Sequence, residues 1–244
     1  SMVDQAHINK HLGARAFHGG VLYHDDGECH PVKLVRGIAN LSGAKLYEHH
    51  EVFQMETVGD EVRVHTQQRV FRASFVVLAT NGYSRLLHPW FADKIYPTRG
   101  QILVTEPVPQ MMSAPCYCNH VLDYFRQLPD GSVLIGGFRQ LAKETEVGVA
   151  DEPNPEIHEA LEAFLKRHFE ALHDVKIAYR WAGIMGFSQD GLPMIGALPG
   201  QPQIYFVGGF TGHGIGQAFR VSQVLAEVML EGKSAGPYSA RRFW

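Results

Sequence analysis

The backbone best suited to chemistry lies near the end of the chain, in Gly208-Gly-Phe-Thr-Gly-His-Gly-Ile215. Gln203-Ile-Tyr-Phe-Val207 before it reads as a strand. Ile215–Leu230 after it reads as a helix, with apolar residues at 218, 221, 224, 225, 228 and 229 and a stop at Gly232. A helix start leaves unpaired N–H groups that carry about +0.5 of an elementary charge. Glycines let those donors approach a flat ligand with no Cβ in the way. Taken alone, Gly212-His-Gly-Ile-Gly216 serves equally as a tight turn that packs helix on sheet.

Other side chains admit two roles each. Arg126 follows Tyr124-Phe125 on an expected strand and can grip a carboxylate with its planar fork, or hold a structural ion pair. Arg99 precedes Gly100 in a tight segment, where bonds to loop carbonyls serve as well as substrate contact. Tyr117 and Tyr124 suit the cap of a substrate cavity or a core position. His213 sets a hydrogen bond within the turn or stands exposed, and Trp181 reads as packing. No side chain is assigned as a catalytic nucleophile or base. The histidines lack metal-binding spacing, so no metal site is expected. Cys29, Cys116 and Cys118 form neither a disulfide framework nor a zinc set, which points to a reduced, cytoplasmic chain.

The elements that must position these residues follow from pattern. The 244 residues are 45% hydrophobic, enough for one large domain or two joined ones. A net charge of -3 with no Lys/Arg block speaks against nucleic acid. No run approaches the roughly 18 apolar residues of a membrane span, and no signal-peptide pattern opens the chain. Pro31 to Leu41 reads as a helix closed by Ser42-Gly43. Strands are expected at 45–49, 52–58, 62–66, 70–72, 75–79 and 102–105. The run Phe75–Ala79 is apolar throughout, as in a strand buried on both faces, and ends at Thr80-Asn-Gly82. Residues 124–126 and 133–135 flank Pro129-Asp-Gly131 as a hairpin. Pro153–Leu172 is an amphipathic helix and Val175–Tyr179 a further strand.

These segments together resemble the D-amino-acid oxidase (DAO) superfamily of FAD-dependent oxidoreductases. Gly208–Ile215 with its helix resembles that family's closing motif. Arg180-Trp-Ala-Gly183 and Asp190-Gly-Leu-Pro-Met-Ile-Gly196 resemble the motif before it. Val76-Val-Leu-Ala-Thr80 with Gly82 is similar to the strand beneath the flavin nucleotide, and His30-Pro31 with Val52 to the adenine-side region. Pro97-Thr-Arg-Gly-Gln101 and Phe125-Arg126 with Asp130-Gly131 resemble substrate-domain signatures. The matches keep family order from about residue 17 to 232. Within the superfamily the pattern is similar to γ-glutamylputrescine oxidoreductase-like and glycine oxidase-like members.

The resemblance implies hydride transfer from an amine-bearing carbon to FAD, with an imine product and usually peroxide. It implies flavin contacts from Thr211, Gly212, His213, Gly214 and Ile215, and nucleotide contacts from Val52, Ala79, Thr80 and Gly82. Tyr117, Tyr124, Arg126 and Arg99 are its substrate-side candidates. Several family members place an Arg after the Trp-Gly motif to bind an α-carboxylate. Here that stretch, taken as a loop, is Ile184-Met-Gly-Phe-Ser188, which puts simple glycine or D-amino-acid oxidation in doubt.

The expected fold is α/β, or α+β. An incomplete FAD-binding lobe with a mixed or parallel sheet spans 24–94 and 183–233. A substrate lobe with an antiparallel sheet spans 1–23 and 95–182. The family's opening strand and G-x-G-x-x-G, which hold the pyrophosphate, have no match in residues 1–30. The expectation is a fragment or truncated product of a larger oxidase, inactive or weak in FAD binding alone, rather than half of a two-subunit enzyme. The rival expectation is a non-catalytic module that dimerises or pairs through the exposed sheet edge.

Overall fold

A computed structural model describes residues 1–120 and 122–244 as a mixed α/β chain. In order it forms β1 (Met2–Asp4), α1 (Gln5–Leu12), β2 (Gly19–Val21), α2 (Pro31–Ser42), β3 (Val52–Val58), β4 (Glu61–Thr66), β5 (Val70–Ala73) and β6 (Val76–Leu78). Then come α3 (Ser84–Leu87), β7 (Ile95–Thr105), β8 (Cys116–Cys118), β9 (Asp123–Gln127), β10 (Val133–Gly136) and α4 (Pro155–His168). The chain ends with β11 (Ile177–Ser188), β12 (Met194–Leu198), β13 (Gln201–Gly208) and α5 (Gly214–Glu231). Two compact units divide it: Ser1–His30, Arg99–Glu146 and Ala150–Gly183 form one, and Pro31–Thr98, Val147–Val149 and Ile184–Trp244 the other.

The first unit is built on a five-stranded sheet of order β11-β7-β10-β9-β8. Its β7–β10, β10–β9 and β9–β8 pairs are antiparallel. Alternation places Leu103, Phe125 and Ile135 on one face, where Ile157, Leu161, Phe164 and Leu165 of α4 cover them. Full burial of each such side chain contributes roughly 1.5–3 kcal/mol. Asn154 starts α4 by accepting from the backbone N–H of Glu156 and Ile157, with Pro155 at the first helical position.

A chain of polar groups crosses this core. Gln101 and Glu146 are fully buried and His158 nearly so. Gln101 Nε2 donates to Glu146 at 2.7 Å, Asn154 Nδ2 donates to it at 2.9 Å, and Arg99 pairs with it at 3.3 Å. Gln101 Oε1 is left to accept from His158 Nε2 at 3.0 Å. That fixes the tautomer: Nε2 carries the proton, and Nδ1 accepts from Arg180 at 3.3 Å. Burial, and then the Arg180 charge, push the His158 pKa below its usual range.

The second unit holds two smaller sheets. In β12-β13-β6 the first pair is antiparallel and the second parallel, while β3-β4-β5 is antiparallel throughout. Phe91, Ile95, Met194, Ile204 and Phe206 centre its main core, and Val221, Val224 and Leu225 seat α5 on Ile195 and Val207. Gly232 closes α5 at φ 66, its N–H bonded to Glu227 O. The C-terminal tail is tied down by Arg242, which meets Asp190 at 2.6 and 3.1 Å. By contrast α2 buries none of its residues; Val35 is 58% and Leu41 90% exposed.

Several expectations are corrected. Residues 45–49 form no strand: 45–47 lack regular structure, Glu48-His49 turns with His49 at positive φ, and Leu46 and Tyr47 stay exposed. The run Phe75–Ala79 is a strand only over Val76–Leu78 and is not buried on both faces, with Phe75 58% and Val77 42% exposed. It is the outer strand of its sheet, and Phe75 meets the Tyr205 ring edge to face, at 6.2 Å between centroids. β7 begins at Ile95, before the Pro97–Gln101 segment. β11 continues to Ser188, so the stretch Ile184–Ser188 taken as a loop is strand, continuous with Arg180–Gly183.

His158 stability should therefore depend on pH in one direction. Its folded pKa lies below the ordinary 6.5, so its contribution is complete above that value and fades as pH falls through it. We expect the melting temperature to fall between pH 7 and 5 (about these limits) less steeply in His158→Gln, which keeps a donor and an acceptor. An unchanged slope in thermal melts would rule this out.

Candidate functional site

The turn between β13 and α5 is shaped by backbone that few residues tolerate. Gly209, Thr211 and Gly212 have φ of 75, 51 and 83°. Two hydrogen bonds tie the turn to β11, Thr211 N donating to Gly186 O at 2.9 Å and Ser188 N to Thr211 Oγ1 at 3.3 Å, and within the turn Thr211 Oγ1 donates to Gly209 O at 3.2 Å. The fixed point is Asn81, in the loop after β6. Its Oδ1 accepts from Gly209 N at 3.0 Å. A Cβ on Gly186 would lie 2.3 Å from the same oxygen, and one on Gly208 3.3 Å from Asn81 Cα. Gly186 thus has no room for a Cβ where Asn81 wedges in, and Gly208 is closely crowded by Asn81 and Ile95. Asn81 itself sits at φ 44.

Beyond the turn, α5 begins with no side chain capping its first N–H groups. His213 holds the cap position with its Nδ1 donating to Thr211 O at 2.9 Å, so the ring is exposed and Nε2 is the free acceptor. Nothing stands within 4 Å of where a Cβ on Gly216 would be. Gln217 Oε1 is buried and has no donor among the described residues. Ile215 is 59% and Phe219 74% exposed. A row of N–H donors, one orphaned acceptor and open glycines fit the imide edge of a flat heterocycle, which presents carbonyls flanking an N–H.

In the first unit, Tyr117, Tyr124 and Arg126 occupy the sheet face opposite the core. Phe125 and Gln127 between and beside them are buried. Tyr117 lies opposite Tyr124 in register, with ring centroids 6.2 Å apart, edge to face. The Tyr124 ring covers Gly136, where a Cβ would fall 2.5 Å away. Burial, then the neighbouring Tyr117 and Asp123, push the Tyr124 phenol up to about 12, so it acts as a neutral hydroxyl.

The sequence matches the family described as DAO, FAD dependent oxidoreductase, over residues 1–228. The chain belongs to the DAO family. It is 30% identical over 247 residues to a probable oxidoreductase OrdL of Rhizobium meliloti, covering 96% of this chain and 54% of that protein. It is 27% identical to the gamma-glutamylputrescine oxidoreductase of Escherichia coli, covering 93% of this chain and 54% of that protein. The chain thus spans about half the length of the curated relatives it matches. Its fold is that of the L-proline dehydrogenase from P. horikoshii, with a TM-score of 0.84, 22% identity, and coverage of 100% of this chain and 68% of that one.

Within this DAO chain the structure gathers some expected residues and separates others. Thr211, Gly212, His213, Gly214 and Ile215 form the turn and helix mouth together. Ala79 and Thr80 lead into Asn81, and Thr80 Oγ1 bonds Ser84 Oγ at 3.0 Å. Gly82 is buried, and a Cβ there would lie 3.0 Å from Met185 O, so its visible role is close packing against β11. Val52 opens β3, on the other sheet of the unit. Arg99 is engaged by Glu146 and by Thr145 O, the structural alternative of the two open to it. Arg126 pairs with Glu28 at 3.1 Å. Asn81, Gly186 and Gln217 were not singled out by sequence, although the first two lie inside the quoted motifs. Among the described residues no His, Cys, Asp and Glu cluster could hold a metal.

Removing the Asn81 acceptor strands Gly209 N–H, a loss of about 1–3 kcal/mol in chemical denaturation for Asn81→Ala. Asn81→Asp, which keeps Oδ1, should lose less. Equal losses would show that the bond does not hold the turn. Gly216→Ala meets open space and should stabilise the helix by up to about 1 kcal/mol while lowering flavin affinity. Unchanged flavin affinity in a fluorescence titration would remove Gly216 from the site.

Proposed function

We propose that this chain is the C-terminal portion of an FAD-dependent amine or amino-acid oxidoreductase. The uncapped mouth of α5, behind a turn pinned by Asn81, carries the reading. The segment Thr211, Gly212, His213, Gly214 and Ile215 would hold the flavin through its main chain, with donors from Gly212, Gly214 and Ile215 because the N–H groups of Thr211 and His213 already bond Gly186 O and Phe210 O, and the positive end of α5 would favour negative charge there. Ala79, Thr80 and Gly82, with the main chain of Val52, would line the nucleotide. Tyr117, Tyr124 and Arg126 would receive the amine, whereas Arg99 is left to its tie with Glu146. When bound, FAD supplies the acceptor for hydride from the amine-bearing carbon, giving an imine. The residues of the chain bind and orient; no nucleophile is needed.

The relatives' additional length supports a further step. The apolar face of α2 and the free side of β6 would be covered by the half that supplies the pyrophosphate cradle. Alone, the chain would bind FAD weakly and be inactive. The same uncovered surfaces favour a second reading, a non-catalytic module that pairs with a partner or a second copy. Three free thiols agree with a reduced, cytoplasmic setting, and no helix among the described residues is long and apolar enough to cross a membrane.

Visible flavin absorbance and gel filtration separate the two readings. A colourless chain that turns yellow when the N-terminal half is supplied supports the oxidoreductase; a colourless dimer that ignores that half supports the module. In the completed protein, a γ-glutamyl polyamine should be oxidised with higher kcat/KM than glycine or D-alanine. The reverse order would reject that substrate class.

A further inference from the structure

Arg126 already holds a carboxylate, and it belongs to this chain. Glu28 Oε2 accepts from Arg126 NH1 at 3.1 Å, and the backbone oxygen of Cys29 accepts from the same nitrogen at 3.0 Å. No other nitrogen of the guanidinium bonds within the chain among the described residues, so half of the fork is unused. The two partners differ in how firmly they are held. Arg126 stands on β9, paired with Leu134 on β10, and its side chain is 21% exposed. Glu28 lies between β2 and α2 in a stretch without regular structure, and its side chain is 47% exposed.

We propose that Glu28 is a displaceable internal carboxylate: it occupies Arg126 in the resting chain and yields it to the carboxylate of an incoming ligand. A half-exposed ion pair on an irregular segment contributes about 0–1 kcal/mol, so exchange for an external carboxylate is nearly isoenergetic. A planar fork with unused donors can accept the newcomer bidentately, which the single-nitrogen contact to Glu28 does not do. Tyr124, two residues away on the same face, and Tyr117 opposite it give the body of such a ligand an aromatic wall. The ligand class is therefore a carboxylate joined to an apolar or amine-bearing chain. Glu28 sets specificity by penalising weak or sterically blocked carboxylates. This deepens the amine-oxidoreductase reading and depends on it for the meaning of the ligand, though not for the binding step itself.

The test is a titration of the full chain with glutarate, followed by NMR shifts or calorimetry, with 1,5-diaminopentane as a probe lacking carboxylates. Glu28→Gln should bind glutarate about fivefold more tightly, the equivalent of the lost ion pair. Arg126→Gln in that background should lose the gain, and diamine binding should not respond to Glu28→Gln. Thermal melts of each variant confirm folding, and Glu28→Ala repeats the test if Glu28→Gln melts early. Glutarate affinity equal in wild type and both Glu28 variants overturns the proposal, as does a gain that survives loss of Arg126. Because no flavin enters the measurement, exchange at Arg126 with no amine oxidation by the completed protein would sink the oxidoreductase reading and leave this one standing.

Discussion

The second unit depends on one side chain occupying room that two glycines leave open. Asn81 cannot pack where it does unless Gly186 lacks a Cβ, a Cβ on Gly208 would crowd it and Ile95, and the Gly209 N–H of the positive-φ turn finds its acceptor in Asn81. A buried donor without a partner costs about 1–3 kcal/mol, and an asparagine in the left-handed region roughly 1 kcal/mol or more, so the bond offsets the strain it requires. The joint brings three distant segments to one place: the end of β6, the last residues of β11, and the start of α5. Helix donors are useful to a ligand only if their direction is fixed before it arrives. Here the fixing uses Asn81, β11 and bonds within the turn itself, and leaves the N–H groups of Gly212, Gly214 and Ile215 to face a ligand.

The first unit solves a different problem by similar means. Glu146 is a fully buried carboxylate, which is costly unless every oxygen is bonded and the charge is matched. Gln101, Asn154 and Arg99 do this, and Gln101 passes the remaining demand to His158, which passes it to Arg180. An arginine that looked available for substrate is thereby spoken for. Arg126, on the opposite face of the sheet, pairs with a half-exposed carboxylate on an irregular segment. The contrast follows from burial: a desolvated ion pair is lost only at several kcal/mol, whereas an exposed pair exchanges readily.

Much of the fold was legible because its signals are local. The helix α4 announces itself through Asn154, Pro155 and apolar residues at helical spacing; α5 through its stripe and Gly232; and the β9–β10 hairpin through Asp130-Gly131. The mixed α/β class and the FAD-dependent oxidoreductase family were legible from motifs kept in order along the chain. What was missed is non-local. Gly183 and Gly186 interrupt the alternation of β11, and the strand exists because β7 and the turn bond to it. Asn81 and Gly209 are 128 residues apart, so neither position carries a local mark of their bond. The apolar run Phe75–Ala79 announced a strand, found over Val76–Leu78, but not its exposure, because hydrophobicity tells what a strand requires and not whether the requirement is met.

That last distinction bears on cofactor affinity. The apolar side chains of α2, and Phe75 and Val77 at the open edge of β6, have the composition of buried positions without the burial. Surface of that kind is costly in water at about 25 cal/mol per Å², and a native chain seldom carries it without an occupant. In the proposed reading the donors at α5 would address only the ring end of a dinucleotide, where the ligand is neutral until reduced. The doubly charged pyrophosphate is the part that repays immobilising so long a molecule, and it needs its own ring of backbone N–H groups at a second helix start. A site with the ring contacts alone should therefore discriminate between oxidised and reduced flavin more than it retains either, since the helix field acts on the charge that reduction adds.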